Sequence, residues 1–183
     1  MKLLLHTCCG PCTIYPLKKL REKDFNVMGF FYRNNIHPLS ECLRRESALK
    51  EFAEIKNMKM IWQQGYDMEN FLRKAAFRES MRCEMCYYDR LNATVKVAKR
   101  GKFDFFSTTL LYSKQQNHER IVEIANSLAA VNGVKFYYED FRKGWKEGIE
   151  ESKKMGMYRQ QYCGCIFSEK KRFIKEAEKM HTA

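Results

Sequence analysis

Short apolar runs alternate along the chain with longer segments of helical spacing. Residues 2–6 form an apolar run that ends at a Cys/Gly/Pro cluster, and residues 13–23 then repeat their apolar positions at helical intervals. This order of strand, loop and helix predicts the first unit of an alternating fold. The same strand pattern recurs at residues 27–32, 58–63, 103–110 and 134–138.

The segments between the strands carry the spacing of amphipathic helices. Strands that alternate with helices predict an α/β fold, a three-layer sandwich whose five-stranded, mostly parallel sheet has helices on both faces and extra C-terminal helices. No repeat or flexible linker divides the chain, so we expect a single domain over 1–183. Helices are predicted at residues 13–23, 40–55, 68–77, 87–99, 116–130, 145–154 and 169–180.

Charge narrows the choice of partner. The 183 residues carry a formal net charge of +12, which favours a polyanion, and RNA is the first candidate. Lys18, Lys19 and Arg21 on the first helix and Arg44 and Arg45 on the second are the predicted phosphate contacts. No apolar stretch approaches the roughly 20 residues of a membrane helix, and the N-terminal apolar run is too short for a signal peptide. We therefore expect a cytoplasmic protein.

The eight cysteines are the strongest chemical signal in the sequence. Two close pairs of thiolates supply the four ligands that zinc or a [4Fe-4S] cluster needs, and the spacing alone does not choose between them. Adjacent cysteines at a strand end, with further thiols to spare, favour iron-sulfur over a zinc ribbon. The single domain is therefore predicted to be a metalloenzyme domain. Seven of the cysteines form three groups: Cys8, Cys9 and Cys12; Cys83 and Cys86; Cys163 and Cys165.

The last group suits a different chemistry. Cys163 and Cys165 stand one residue apart, so they can close a disulfide only in a small strained ring, which is easily reduced. This predicts a two-electron relay, with additional metal ligands or plain buried thiols as the alternatives. Cys42, beside Leu43 on a predicted helix, is expected to pack in the core.

Four motifs in order resemble one family. They are HTCCGPC at residues 6–12, RCEMCYYDRL at 82–91, FSTTLL at 106–111 and QQYCGCIFS at 160–168. Together they resemble the iron-sulfur, cobalamin-independent epoxyqueuosine reductases, which complete queuosine synthesis on tRNA. The loop over residues 33–38, RNNIHP, departs from that family's Asn-Pro-Asn-Ile-His-Pro, and Cys42 stands where the family often has an aromatic residue.

The resemblance implies a fold similar to the adenine nucleotide α-hydrolase group and a specific reaction. The epoxide on the modified wobble base of a tRNA anticodon loop would be reduced by two electrons to an alkene, with loss of its oxygen as water. An unidentified electron donor would restore the enzyme. The implied [4Fe-4S] ligands are Cys8, Cys9, Cys83 and Cys86, with Cys163 and Cys165 as the redox-active pair.

Several roles stay open within this interpretation. Cys12 is the unassigned thiol, and it is a candidate ligand for an adjacent mononuclear iron. Asp89, Tyr88 and His37 are candidate proton donors. Each has a structural alternative: an ion pair of Asp89 with Arg90, core packing of Tyr88 and loop stabilisation by His37.

Two other functions fit parts of the sequence. An ATP-dependent tRNA-modifying enzyme of the same fold group would need a phosphate-binding loop after the first strand. There Pro11 removes one N–H donor and thiolates would repel phosphate. A zinc-containing RNA-binding module would explain the charge and the paired cysteines, but it leaves Cys163 and Cys165 without a role.

Overall fold

Five strands form one sheet at the centre of the molecule. In the computed structural model, which describes residues 1–181, all neighbouring strands in this sheet run parallel. The predicted α/β fold is therefore confirmed. The single metalloenzyme domain over 1–183 stays a prediction, and residues 182 and 183 lie outside the described residues. The strands are β1 (Lys2–Thr7), β2 (Asn26–Phe31), β3 (Met60–Trp62), β4 (Phe105–Thr108) and β5 (Lys135–Phe136).

The apolar sequence of β1 places it in the middle of the sheet. Leu3, Leu4 and Leu5 are fully buried, because both faces of a parallel sheet are covered. The order across the sheet is β3–β2–β1–β4–β5. The chain therefore adds β2 and β3 on one side of β1, and then crosses back to add β4 and β5 on its other side. This reversal opens a crevice at the carboxyl ends of β1 and β4, where ligands bind in such sheets.

Helices form the two outer layers. The described α-helices are α1 (Gly10–Arg21), α2 (Leu39–Ile55), α3 (Met68–Ala75), α4 (Arg82–Arg100), α5 (His118–Asn132), α6 (Trp145–Lys154) and α7 (Ile166–His181). Helix α1 packs against α2 and α6, whereas α4 packs against α5. Right-handed crossovers on opposite sides of β1 put these two groups on opposite faces of the sheet, as the three-layer prediction requires.

Three element boundaries near the cysteines differ from the prediction. Helix α1 begins at Gly10, because Pro11 is tolerated in a first turn, where its missing N–H has no intrahelical partner anyway. Helix α4 begins at Arg82 rather than at residue 87, and Glu84 in its first turn is favourable for the helix dipole. Strand β4 ends at Thr108, whose hydroxyl accepts a hydrogen bond from Leu110 N at 3.1 Å and starts a 3-10 turn.

Among the described residues, no helix has both the length and the apolar character that crossing a bilayer requires.

Candidate active site

The first cysteine group lies at the crevice between β1 and β4. Cys8 directly follows β1, and its backbone N–H donates to Thr109 Oγ1, just beyond β4, at 3.3 Å. Cys9 caps α1, with its Sγ accepting a hydrogen bond from Cys12 N at 3.4 Å. The helix therefore starts on a sulfur atom, and its positive N-terminal end favours thiolate there.

Cys8, Cys9 and Cys12 form a tight group of thiols. Their three Sγ atoms lie within 4.8 Å of one another, a spacing that suits ligands of one metal centre. Hydrogen bonds from Cys12 and Cys9 hold the pKa of Cys8 well below its usual range, whereas the same interactions raise the pKa of Cys12. Cys8 is therefore the thiol of this group that ionises first.

Thiols from all three cysteine groups meet around one small cavity. Its volume is about 60 Å³, and its lining includes Cys8, Cys12, Cys86 and Cys163. Cys9 lies behind Cys8, at 3.9 Å between the two Sγ atoms. The structure thus brings Cys8, near the start of the chain, and Cys163, near its end, to the same cavity. The candidate metal ligands of the first group are all thiol sulfurs.

Cys83 and Cys86 lie on the first turn of α4. Residues three apart share one face of a helix, so both thiols belong to the same side. Cys86 is half-buried and lines the cavity, whereas Cys83 is exposed and does not belong to that lining. Burial of the thiol raises the pKa of Cys83, and Arg82 beside it opposes that shift.

A buried guanidinium stands beside the thiols. Arg90 is 2% exposed and donates to Cys86 Sγ at 3.2 Å and to the carbonyl of Asn35 at 3.1 Å. No carboxylate among the described residues pairs with it. Burial alone would lower the pKa of Arg90, but the thiols of Cys86 and Cys8 raise it above its usual range. Sulfur is the negative partner that this buried cation has.

His6 completes the inner wall as a neutral residue. Its Nδ1 lies 2.9 Å from Thr108 Oγ1, and its Nε2 lies 3.4 Å from Arg90 Nη1, which can only donate. Burial, with Arg90 adding to it, lowers the pKa of His6 to about 3. His6 therefore accepts from Arg90 and orients it.

A second buried arginine holds the Cys-Gly-Cys segment. Arg45 on α2 is fully buried; it donates from Nη1 to the Cys163 carbonyl at 2.8 Å and from Nη2 to the Tyr162 carbonyl at 2.9 Å. Its Nε donates to Glu41 at 2.7 Å. Arg45, which we predicted as an RNA contact, therefore binds protein backbone instead.

Gly164 is required between the two cysteines. Its φ of +154° is a backbone angle that other residues rarely adopt. A Cβ atom there would lie 3.2 Å from the Asn35 carbonyl and 3.4 Å from Arg45 Nη1. The segment can therefore approach both buried arginines only because it carries no side chain at this position.

His37 binds the other side of the segment. Its backbone N–H donates to the Gly164 carbonyl at 2.7 Å, and its Nδ1 accepts from Ile166 N at 3.3 Å. Its Nε2 donates to the Asn34 carbonyl at 2.8 Å, so both ring nitrogens are occupied. This geometry favours the loop-stabilising alternative, and proton donation by His37 stays a prediction.

Tyr88 and Asp89 point away from the thiols. Tyr88 is 48% exposed and lines a surface groove between α4 and α5. Asp89 forms an ion pair with Lys74, at 3.0 Å, and not with Arg90. Neither residue lines the thiol cavity, whereas Tyr87 does. Their roles as proton donors stay predictions that this arrangement does not favour.

Two glutamines that the sequence did not single out contact the thiols. Gln160 Nε2 donates to Cys9 Sγ at 3.1 Å and to Cys12 Sγ at 3.5 Å. Gln116 Nε2 donates to Cys163 Sγ at 3.0 Å. Gln160 stands three residues before Cys163 in the QQYCGC motif. That position was the one feature of the sequence that could have indicated a contact between Gln160 and the thiols.

The basic residues predicted to contact RNA on α1 have protein partners. Lys18 pairs with Glu147 on α6 at 2.6 Å, Lys19 pairs with Glu22 at 2.7 Å, and Arg21 donates to the Lys56 carbonyl at 2.8 Å. RNA binding by these three residues stays a prediction.

Fold and site together define a class of protein. The sheet order and the crevice are those of an α/β fold with a parallel sheet, in which ligands bind at the carboxyl ends of the central strands, and here thiols line that crevice. A solved structure with this fold is a predicted subunit of a tRNA methyltransferase from Methanocaldococcus jannaschii. It matches with a TM-score of 0.51 and 10% identity, over 86% of this chain and 89% of that one. This likeness concerns the fold alone.

The family is shown by sequence. The model of the family "Epoxyqueuosine reductase QueH" matches residues 3–171. Epoxyqueuosine reductases QueH from Dehalococcoides mccartyi and Thermotoga maritima are each 36% identical to this chain. The first alignment covers 95% of this chain and 96% of the relative, and the second covers 96% and 94%.

The chain therefore belongs to the epoxyqueuosine reductase QueH family, and its activity is that of an oxidoreductase. The resemblance read from the four motifs is confirmed. The ATP-dependent and zinc-module alternatives do not describe this family.

Arg45→Lys tests how the Cys-Gly-Cys segment is held. Lysine keeps the charge beside Glu41 but lacks the planar fork that reaches two carbonyls at once. The amides of residues 162–165 should then exchange hydrogen about 10-fold faster, which corresponds to the loss of about one net hydrogen bond. Arg44→Lys, on the exposed face of the same helix, is the control. Equal exchange in both variants would show that Arg45 does not hold the segment.

Proposed function

We propose that this chain reduces the epoxide of epoxyqueuosine in a tRNA anticodon loop, at a [4Fe-4S] site held by Cys8, Cys9, Cys83 and Cys86. The observation that carries this proposal is the buried guanidinium of Arg90, which faces sulfur and has no carboxylate partner among the described residues. A buried cation needs a negative partner. Thiolates bound to a metal centre supply that charge permanently.

The residues present fit an iron-sulfur cluster. The donor atoms at the cavity are thiols, which bind iron-sulfur clusters and zinc and are poor ligands for magnesium or calcium. Gln160 donates to Cys9, and hydrogen bonds of this kind to ligand sulfur tune the reduction potential of a cluster. Thiols beyond those four ligands, at Cys12 and Cys163, favour a redox centre over structural zinc, because zinc has no redox chemistry.

When bound, such a cluster supplies single-electron transfer and a Lewis-acidic iron. Cys12 is the thiol of the first group that the four ligands leave unassigned. Its Sγ lies within 4.8 Å of those of Cys8 and Cys9 and lines the cavity, so it is available either to the same metal centre or to an adjacent mononuclear iron.

Cys163 and Cys165 supply what the reaction consumes. Conversion of an epoxide to an alkene takes up two electrons and two protons and releases water. Oxidation of two thiols to a disulfide releases two electrons and two protons, so the two half-reactions balance. An external donor must then reduce the disulfide before the next turnover.

The position of Cys163 suits this role. Its Sγ lines the cavity together with Cys86, and burial first, then the thiol of Cys86, raises its pKa to about 11. The thiol therefore keeps its proton at neutral pH until it is oxidised. Because the dithiol carries both protons, this proposal assigns none to Asp89, Tyr88 or His37.

The partners follow from the substrate. A modified base carried on tRNA makes tRNA the macromolecular partner, and the net charge of +12 supports binding of a polyanion. Thiols that act in both oxidation states need a reducing compartment. The proposal therefore places the enzyme in the cytoplasm, with an electron donor of unknown identity.

The first prediction concerns the ligands on α4. Cys83→Ala and Cys86→Ala each remove one of four proposed ligands, so both variants should lose the broad visible absorption of the cluster and most of their iron. Cys42→Ala is the matched control, because Cys42 is a buried thiol on α2 outside the cavity. Full iron content in both α4 variants would overturn the assignment.

Substitution of Cys163 or Cys165 distinguishes the proposed disulfide relay from the proposed cluster ligands. Cys163→Ser and Cys165→Ser should keep the visible absorption and iron content near wild type, because neither residue is a proposed ligand. Both should stop turnover, because a single thiol cannot form the disulfide. Iron analysis and an epoxide-reduction assay check the two statements. Loss of iron in either variant would make that residue a ligand instead.

A further inference from the structure

A groove leads from the protein surface to the thiol cavity. Its volume is about 280 Å³, and it shares Cys12, Gln116, Gln160 and Cys163 with the cavity lining. The cavity itself holds about 60 Å³, roughly the space of two water molecules. A nucleobase cannot enter so small a space, so the body of the substrate must lie in the groove.

Trp145 forms part of the groove wall. It is the first residue of α6 and is 39% exposed. Its backbone is held there, because its carbonyl accepts a hydrogen bond from Tyr112 Oη at 2.9 Å. Trp145 therefore presents an accessible aromatic surface at the groove.

Two basic side chains, those of Lys114 and Arg159, lie near Trp145 or in the groove wall. Lys114 Nζ lies 4.8 Å from the centre of the Trp145 ring, and Arg159 is an exposed residue of the groove wall. Within residues 1–181, neither side chain forms an ion pair with a carboxylate. An aromatic ring beside free cations is the combination that binds unpaired nucleotides, with the ring stacking on a base and the cations meeting phosphates.

We propose that Trp145 is the stacking platform for the base that carries the epoxide, and that Lys114 and Arg159 bind the phosphates beside it. This inference rests on the proposed function, because a base must leave its stack to reach buried thiols. Stacking on Trp145 places the base in the groove, whose lining includes Cys12 and Cys163, so that its reactive substituent faces these two thiols.

The chain offers a matched control for the platform. Trp62 is its other tryptophan, and it also has a lysine over its ring, with Lys50 Nζ at 5.3 Å. Trp62 lies on the edge strand β3 and is absent from the groove and the thiol cavity. Trp62→Phe therefore leaves Trp145 as the single indole emitter, and Trp145→Phe does the reverse.

Fluorescence tests stacking directly. Addition of an anticodon stem-loop RNA carrying epoxyqueuosine should quench the indole emission of Trp62→Phe and leave that of Trp145→Phe unchanged. Trp145→Ala should bind this RNA about 5- to 150-fold more weakly than wild type, the range for loss of one stacked base. Its visible spectrum and iron content should equal those of wild type.

The phosphate contact has its own readout. Lys114→Ala should reduce the slope of log affinity against log salt by about 0.7, the value for one phosphate of single-stranded nucleic acid. Lys59→Ala, an exposed lysine at the amino end of the edge strand β3 and outside the groove lining, should keep the wild-type slope. Equal slopes in both variants would overturn the phosphate assignment.

The outcomes separate this inference from the proposed function. Unquenched Trp145 emission in a protein that reduces the epoxide overturns the platform and leaves the reductase proposal intact. Quenched Trp145 emission in a protein that contains no iron and leaves the epoxide unchanged supports the platform and overturns the proposed chemistry.

Discussion

The buried positive charge of Arg90 is the constraint on which the site depends. Its guanidinium contacts Cys86 Sγ, His6 and the Asn35 carbonyl, and thus ties α4, β1 and the loop after β2 to one point. Without negative sulfur beside it, this charge would cost several kcal/mol. The proposed metal centre would supply that negative charge, because its ligands would be thiolates.

The Cys-Gly-Cys segment, far from Arg90 in sequence, is held at the thiol cavity by hydrogen bonds to its backbone. Arg45 and His37 bind consecutive peptide groups around Gly164, which sets Cys163 at the cavity. The proposed redox pair thus lies on a segment held from two sides, and its Cys163 thiol faces the same cavity as the thiols of Cys8 and Cys86.

The sequence predicted the fold well because apolar runs and helical spacing are local properties. The three cysteine groups were equally visible, and the strand order of an α/β fold places their loop at the correct edge. Arg90, Gln160 and Arg45 could not be assigned, since their partners are distant in sequence and a charged residue on a helix usually faces water. Arg45 was predicted to contact phosphate because a charged residue on a helix usually faces water, whereas the structure buries it against the Cys163 carbonyl.

A cluster held by the thiols around Arg90 can be detected in the protein itself. Metal and acid-labile sulfide are measured in protein purified without oxygen, together with its visible absorption spectrum. We expect about four sulfides per chain and a broad visible absorption that bleaches on reduction. A colourless protein that contains zinc, lacks sulfide and still reduces epoxyqueuosine would show that these thiols hold no iron-sulfur cluster.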